Sequence, residues 1–316
     1  MLCQHTDWIC LNSHGEGTVI KQTKKLQILV NSLPAPQTQK PSFALLLGLE
    51  NERPPALYQD FSSSDPGTVH LSLDSATIAN PNPLFIARLF PISIQPLNEP
   101  KLPACCKAAN QKILAAPLNQ VWNIILSRVL LPLADVICFI CHHKRDTKHI
   151  KQILGQIRSS ANAKLPAVLI VAIGKHRELD KTTTRFLDSF PFTYQLVRIS
   201  KVEFTSVEGH SWLKNQIRQT VKLMLARKNN QHLHFSALHF SKFAEVFLEN
   251  SGEEQPLDFI TASRLANPIP SNLPNHLNTF INQVQLTKKS IIDFTAEIIA
   301  SCFLLDHYHP EMHSKY

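Results

Sequence analysis

Two uninterrupted apolar runs, joined by one amphipathic stretch, constrain the fold of this chain more than any other feature. Residues 134–141 and 165–173 are apolar along their length apart from Asp135, which is typical of strands buried on both faces of a sheet. Between them, 146–157 has helical spacing, with four apolar residues on one face: Ile150, Ile153, Leu154 and Ile157. Strand, helix and strand in this order indicate a right-handed parallel crossover.

The same alternation extends from about residue 43 to 248 and predicts an α/β fold with a three-layer, mostly parallel sheet. Further strands are expected at 43–47, 69–73 (an edge strand), 84–87, 194–204 and 233–235. Helices are expected at 118–130, 209–227 and 237–248, and the proline-rich stretch 91–117 is expected to be irregular. The predicted organisation is an N-terminal extension (1–41), an α/β domain (42–250) and a helical extension (251–316).

The chain is basic, with a formal net charge of +8 at pH 7. The excess is spread along the sequence, and its densest stretches, 21–25, 144–151 and 222–228, are not interleaved with the aromatic residues that single-strand binders stack on bases. A solvated basic face is the preferred interpretation, so we predict no nucleic-acid partner and leave contact with a membrane surface open.

The cysteine content and the apolar tracts indicate a compartment. Seven cysteines, an odd number in a chain long enough to form its own core, favour a reducing environment. The N-terminus lacks the basic start and the apolar stretch of a secretory signal. The longest apolar tract, 121–141, is interrupted by Arg128, Pro132 and Asp135, whereas a membrane-spanning helix needs about 20 apolar residues. We expect a cytoplasmic protein without a transmembrane segment.

A phosphate loop is missing from the sequence. Such a loop needs glycines that let backbone N–H groups point at the phosphates, followed by a lysine that reaches their oxygens. The only Gly-Lys pair, Gly174-Lys175, is followed by His176 and has no glycine five residues before it. Tight nucleotide binding by this route is therefore not expected.

A haem-like pattern occurs at 138–142, Cys-Phe-Ile-Cys-His, and Cys138, Cys141, His143 and His149 could formally bind zinc. The pattern lies in an apolar strand, where positions three apart point to opposite faces. The two thiols would diverge, so buried core cysteines are the preferred interpretation and no haem or metal site is predicted.

A second group of histidines comprises His232, His234 and His239. On a strand, the first two would share a face and could chelate a metal. Exposed histidines at a strand end are the preferred interpretation, because the nearest carboxylate in the sequence is Glu245.

Residues 209–213, Gly-His-Ser-Trp-Leu, differ by one residue from the Gly-x-Ser-x-Gly elbow of serine hydrolases. Leu213 stands where the second glycine would allow close approach of the neighbouring backbone. The preferred interpretation is the start of a helix, with Ser211 in its first turn. The enzyme alternative has Ser211 as nucleophile, followed in the right order by Asp258 and His276.

Several stretches resemble the GTPase-like region that precedes the lipase domain in large fungal patatin-like phospholipase proteins. The similarity is patchy and runs from about residue 43 to 313, with the matching stretches at 66–71, 74–77, 83–87, 130–139, 165–171, 235–240, 262–264, 267–268 and 304–313. The resemblance implies a P-loop NTPase-like fold. It also implies that the lipase domain, with its serine and aspartate, would lie beyond Tyr316.

The departures from that family concern its nucleotide motifs. Where the resemblance implies a phosphate loop, 48–53 reads Gly-Leu-Glu-Asn-Glu-Arg. Where it implies the Asp-x-x-Gly motif, whose Asp holds magnesium-bound water, the chain has Arg88 and Pro91, a cation and a residue without N–H. Where it implies the guanine-reading carboxylate of Asn-Lys-x-Asp, the chain has Arg177, which has donors only.

The sequence therefore predicts a degenerate P-loop NTPase-like domain that is catalytically inactive and acts as a scaffold or interaction domain for protein partners. We predict no catalytic, cofactor-binding or metal-binding residues. One alternative is a residual nucleotide-binding domain that regulates a lipid hydrolase, and another is a serine hydrolase that uses Ser211.

Overall fold

The structure is a computed structural model, which describes residues 5–15, 17–48, 67–89, 108–141, 150–155, 166–173, 185, 187–188, 194–199, 207–231 and 235–252, with single positions at 275, 278–279 and 282. The strands are β1 (Asp7–His14), β2 (Gly17–Thr23), β3 (Ser42–Gly48), β4 (Thr68–Leu73), β5 (Leu84–Leu89), β6 (Ala108–Leu114), β7 (Val136–Cys141), β8 (Ala167–Ile173) and β9 (Tyr194–Ile199). They form one sheet in the order β6-β2-β1-β4-β5-β3-β7-β8-β9.

The parallel half of the sheet consists of β5, β3, β7, β8 and β9. Every residue of β5, β7 and β8 is buried, which explains why these strands appear in the sequence as continuous apolar runs. The predicted strands at 43–47, 84–87, 134–141 and 165–173 are confirmed as neighbours in this half. The strand predicted within 194–204 is confirmed as β9.

The antiparallel half consists of β6, β2, β1 and β4, and β4 also pairs antiparallel with β5. The prediction of a mostly parallel sheet is therefore wrong for the sheet as a whole, since four of its eight pairings are antiparallel. The stretch 1–41 contributes β1 and β2, which pair with each other as an antiparallel hairpin within the same sheet.

Two local predictions in this half are wrong. Residues 91–117 were expected to be irregular, yet 108–114 form β6, which pairs with β2 along its length. Residues 69–73 were expected to form an edge strand, yet β4 lies between β1 and β5. In both cases the partner strand is distant in sequence, so local composition did not reveal the pairing.

The helices are α1 (Lys25–Asn31), α2 (Leu118–Ile125), α3 (Leu131–Leu133), α4 (Val207–Gln231) and α5 (Ala237–Glu249). A π-helical turn, Leu126–Leu130, joins α2 to α3, and residues 150–155 are also helical. The helices predicted at 118–130, 146–157, 209–227 and 237–248 are confirmed wherever the structure describes them. Of the strand predicted at 233–235, only Phe235 is described and it is not in a strand. The helical extension 251–316 lies almost entirely outside the described residues.

Helices cover both faces of the sheet. On face A, the strands pack against α1, α2, α3 and α5, with aromatic contacts from Phe240 of α5 to Phe43 and Phe85 at centroid distances of 5.5 and 5.9 Å. On face B, the parallel half packs against α4 through Leu213, Ile217, Val221 and Met224. Trp212 and Leu225 are partly buried against the same core.

Candidate functional site

The carboxyl ends of the parallel strands define the edge at which α/β sheets bind ligands. The chain passes from β3 to β5 on one side and then returns to β7 on the other, so the strand order reverses between β3 and β7. Such a reversal creates a crevice outside the carboxyl ends of the strands. Gly48 and Cys141 end the two strands on either side of this reversal.

The sequence motifs compared above all follow strands of this half. Residues 48–53 follow β3, 88–91 include the end of β5, and 174–177 follow β8. Because these strands are parallel, the three motif positions start from the same edge of the sheet. Of these positions the structure describes Gly48, Arg88 and Leu89, and the rest lie outside the described residues.

A polar row crosses face B next to this edge and consists of Asp7, which is partly buried, and the buried residues His70 and Arg88. His70 pairs directly with Asp7 of β1 on one side and with Arg88 of β5 on the other. His70 is fully buried and Arg88 is 3% exposed. Arg88 lies on face B because Leu84 and Ile86, at alternate positions of the same strand, pack into the face B core.

The imidazole of His70 is held by two polar groups. Its Nδ1 lies 3.0 Å from Asp7 Oδ1 and 3.1 Å from Thr6 Oγ1. A carboxylate accepts hydrogen bonds, so the geometry suits donation from the Nδ1–H of His70 to Asp7. Thr6 and Asp7 come from a segment more than 60 residues away, since Thr6 and His70 are 64 positions apart.

Chemically, the polar row places a cation where the resemblance implies an anionic metal ligand. A guanidinium has donors only and cannot coordinate a metal ion, and hard cations such as Mg²⁺ require oxygen ligands. Arg88 therefore opposes magnesium binding at the end of β5. Burial of His70 and Arg88 also separates both side chains from solvent, so neither is positioned to touch a substrate at the surface.

The line of paired positions that contains Arg88 continues into the parallel half, where its residues are apolar. Leu46 is the neighbour of Arg88 on β3, and Cys138 is the neighbour of Leu46 on β7. Burial raises the pKa of the Cys138 thiol to about 12, because the apolar core disfavours the charged thiolate. Cys138 is thus an unreactive core residue.

The haem and zinc pattern is divided between the two faces of the sheet. Cys138 packs on face B and Cys141 on face A, as the strand geometry predicts. His142, His143 and His149 lie outside the described residues. In the part of the chain that the structure describes, no group of three His, Cys, Asp or Glu side chains could hold a metal ion.

Ser211 is the fifth residue of α4 and is exposed. A nucleophile elbow requires a sharp turn between strand and helix, whereas Ser211 lies within regular helix. The helix interpretation of 209–213 is confirmed, and the elbow geometry is not present. His276, the histidine that follows it in the order of the triad, lies outside the described residues, as does Asp258.

Of the three predicted histidines, only His239 is described. Its Nδ1 lies 2.7 Å from Ser236 Oγ, and Ser236 is the N-cap of α5, with its hydroxyl accepting from the His239 N–H. The contact between Ser236 and His239 stabilises the start of α5. The prediction that His239 lies at the end of a strand is wrong, because α5 begins at Ala237 and includes His239.

Sequence reasoning missed an ion pair that holds α4 on face B. Arg218 donates to both carboxylate oxygens of Asp74, at 2.6 and 2.8 Å. Asp74 is buried at the turn between β4 and β5, where it also caps the short 3₁₀ helix Ser75–Thr77. The cap could have been recognised from Asp-Ser-Ala-Thr, but its partner lies 144 residues away.

Among the described residues, no helix is both long enough and apolar enough to cross a membrane. The chain matches no protein-family model, and no curated protein is detectably similar to it.

Proposed function

We propose that this protein is a degenerate GTPase-like domain that hydrolyses no nucleotide and serves as a scaffold or interaction domain for other proteins. The proposal includes its kinship with the GTPase-like region of fungal patatin-like phospholipase proteins. Fold does not imply function, so the proposal depends on the chemistry at the carboxyl edge of the parallel strands.

The observation that carries the proposal is the buried Arg88. It occupies the position where the resemblance implies a carboxylate that holds magnesium-bound water, and it lies directly beside His70. Catalysis of phosphoryl transfer depends on metal ions and preorganised donors around the phosphates. A buried guanidinium in place of the metal ligand removes the means of holding the metal ion.

The strand arrangement supports the fold part of the proposal. β3, which precedes the position of the phosphate loop, is flanked by the parallel strands β5 and β7. β5 is preceded by the antiparallel strand β4. A parallel sheet with an antiparallel strand at its margin is common among doubly wound α/β proteins, and the antiparallel half extends it further.

The test is nucleotide binding and hydrolysis with the full chain. A ligand present at 100 times its dissociation constant stabilises a protein by about 2.7 kcal/mol. We expect no change in Tm with GTP or ATP and Mg²⁺, and no phosphate release above buffer. Arg88→Asp should not restore turnover, because the phosphate loop is also missing. Turnover that is abolished by Lys175→Ala would refute the proposal.

A second candidate is a domain that retains nucleotide binding and regulates a lipid hydrolase. The reversal of strand order between β3 and β7 favours it, because crevices at such reversals bind ligands in α/β proteins. This candidate would be selected if nucleotide shifts the Tm in the absence of Mg²⁺ and the protein does not hydrolyse the nucleotide. For the hydrolase alternative, labelling by a fluorophosphonate probe that is lost in Ser211→Ala is the selecting result.

A further inference from the structure

We propose that β9 is the docking edge of this protein and that it accepts an extended, acidic segment of a partner protein as an additional strand. The inference rests on the proposed interaction function and specifies the surface that performs it. Three independent features of β9 and α4 carry it: an edge that pairs with no strand among the described residues, an apolar slot beside it and the local charge.

The edge of β9 has little of the usual protection against strand addition. Among the strands that the structure describes, β9 pairs only with β8, in unbroken register from Tyr194 to Ile199. Its sequence, Tyr-Gln-Leu-Val-Arg-Ile, has no proline or glycine and a single charged residue, Arg198. Regular strands rich in aromatic and branched residues invite pairing with another chain, and proteins usually block them with bulges, lysine or proline.

The opposite edge provides the contrast. β6 reads Ala-Ala-Asn-Gln-Lys-Ile-Leu, and its register with β2 shifts near Thr23. Lys112 of β6 donates to the backbone carbonyl of Glu249 at the end of α5. A lysine, polar residues and an irregular register are the devices that discourage strand addition, so β9 is the edge that remains suited to it.

A small, shallow apolar slot opens beside the first residues of β9. It lies between the starts of β8 and β9 and the middle of α4, which contributes Thr220, Leu223 and Met224. Leu223 is 62% exposed. In strand addition, main-chain hydrogen bonds supply affinity and pockets for alternate side chains supply specificity. The slot is suited to one aliphatic side chain opposite Gln195.

The charge around β9 favours an acidic partner. Arg198 and Lys222 are exposed, and α4 has no acidic residue after Glu208. Among the described residues, Asp188 lies next to the strand, and its Oδ1 accepts a hydrogen bond from Tyr194 Oη at 2.6 Å. A second copy of a chain with net charge +8 would be repelled, whereas complementary charge steers a partner and suppresses wrong ones.

The probe is a fluorescein-labelled synthetic hexapeptide of alternating leucine and glutamate, which places its leucines on one face of a strand and its glutamates on the other. Binding to the full chain is measured by fluorescence anisotropy. Two N-methylated versions block the N–H groups of odd or of even residues. Since one set alone faces β9, we expect one version to bind at least about tenfold more weakly and the other to bind normally.

Leu223→Glu and Ile113→Glu form a matched pair. The side chain of Leu223, on α4 beside β9, is 62% exposed, and that of Ile113, on β6 at the opposite edge of the sheet, is 59% exposed. We expect Leu223→Glu to weaken binding about tenfold or more and Ile113→Glu to leave it unchanged. Circular dichroism confirms that both variants fold. A lysine version of the peptide should bind more weakly than the glutamate version.

Several outcomes would overturn the inference. They are an absence of binding up to about 1 mM peptide, equal effects of the two N-methylated versions, and equal effects of the two Glu variants. A dimer in gel filtration that Leu223→Glu dissociates would also overturn it, because the occupant would then be a second copy. Nucleotide turnover in the same preparation would refute the proposed function and leave the peptide result standing, so the two failures are distinguishable.

Discussion

The parallel and antiparallel halves of the sheet are both buried, but they are buried among different groups. In the parallel half, all residues of β7 and β8 are buried and all are apolar. In the antiparallel half, buried positions include the polar side chains of Asn12, Thr18, Gln22, Thr68 and His70. The first half is thus stabilised mainly by removal of apolar surface from water, whereas the second also depends on polar partners that come from distant parts of the chain.

This difference explains where function can reside. A strand that is apolar on both faces contributes a rigid layer and little chemistry. The polar row of Asp7, His70 and Arg88 occurs where the two halves meet, since β4 and β5 form the antiparallel boundary. The junction therefore carries the buried side chains of His70 and Arg88, and we propose that the parallel half meets a partner at its outer edge, β9.

The largest expected effect comes from replacing one buried leucine by alanine in each half of the sheet. Leu45 of β3 and Leu11 of β1 are buried on face A. Leu→Ala in a core costs about 2–5 kcal/mol, depending on how far the site can collapse. We expect Leu45→Ala to lie near the upper limit, because β3 is confined between parallel strands, and Leu11→Ala near the lower. Urea denaturation measures both, and equal losses would contradict the comparison.

The second effect concerns the ion pair that connects the halves. Arg218→Gln removes two charge-assisted hydrogen bonds to Asp74 at the β4–β5 turn and leaves a buried carboxylate without its cation. We expect a loss of about 2 kcal/mol in the free energy of unfolding. Lys222→Gln, on an exposed position of the same helix, is the control and should change stability by less than about 0.5 kcal/mol. Similar values for the two variants would show that Arg218 does not hold α4.

The third effect tests whether solvent reaches the core of the parallel half. The pKa of Cys138 is about 12 in the folded protein against 9.0 as its ordinary value. Below pH 9 the thiol is protonated in both states and stability is unaffected. Above it the unfolded state loses its proton first, so the native state is destabilised as pH rises toward 12, by about 1.4 kcal/mol at pH 10.

Denaturation of the wild type and of Cys138→Ala at pH 8 and pH 10 isolates this contribution. The variant should lose about 1.4 kcal/mol less than the wild type over that interval, whatever its stability at pH 8. Identical losses would mean that solvent reaches the thiol. Alkylation by iodoacetamide gives an independent readout, since Cys138 should react only on unfolding.

The smallest effect probes the polar character of the antiparallel half. Asn12 is 5% exposed, and within the part of the chain that is described its amide nitrogen and oxygen have no hydrogen-bond partner. Replacing such a group by an apolar one of similar shape removes a desolvation penalty. We expect Asn12→Leu to raise the free energy of unfolding by about 1 kcal/mol. A loss of stability would indicate that an ordered water satisfies the amide.

The sequence predicted part of the candidate site and missed the rest for a physical reason. Arg88 was recognised because it stands at a motif position that the resemblance implies. Its neighbours His70 and Asp7 were not, since residues on adjacent strands are brought together by pairing between segments that are far apart in the chain. The partnership of Arg218 with Asp74 was missed for the same reason.

By itself, the sequence determined the parallel half, because continuous apolar runs such as 136–141 and 167–173 can be satisfied only by burial on both faces, with a helix between them. It also determined α4 and α5 through their helical spacing. The tertiary structure alone decided that β1, β2 and β6 extend the sheet beyond β4. These strands are half polar, so their register depends on partners rather than on their own composition. For the same reason only the tertiary structure brings Asp7, His70 and Arg88 into one row.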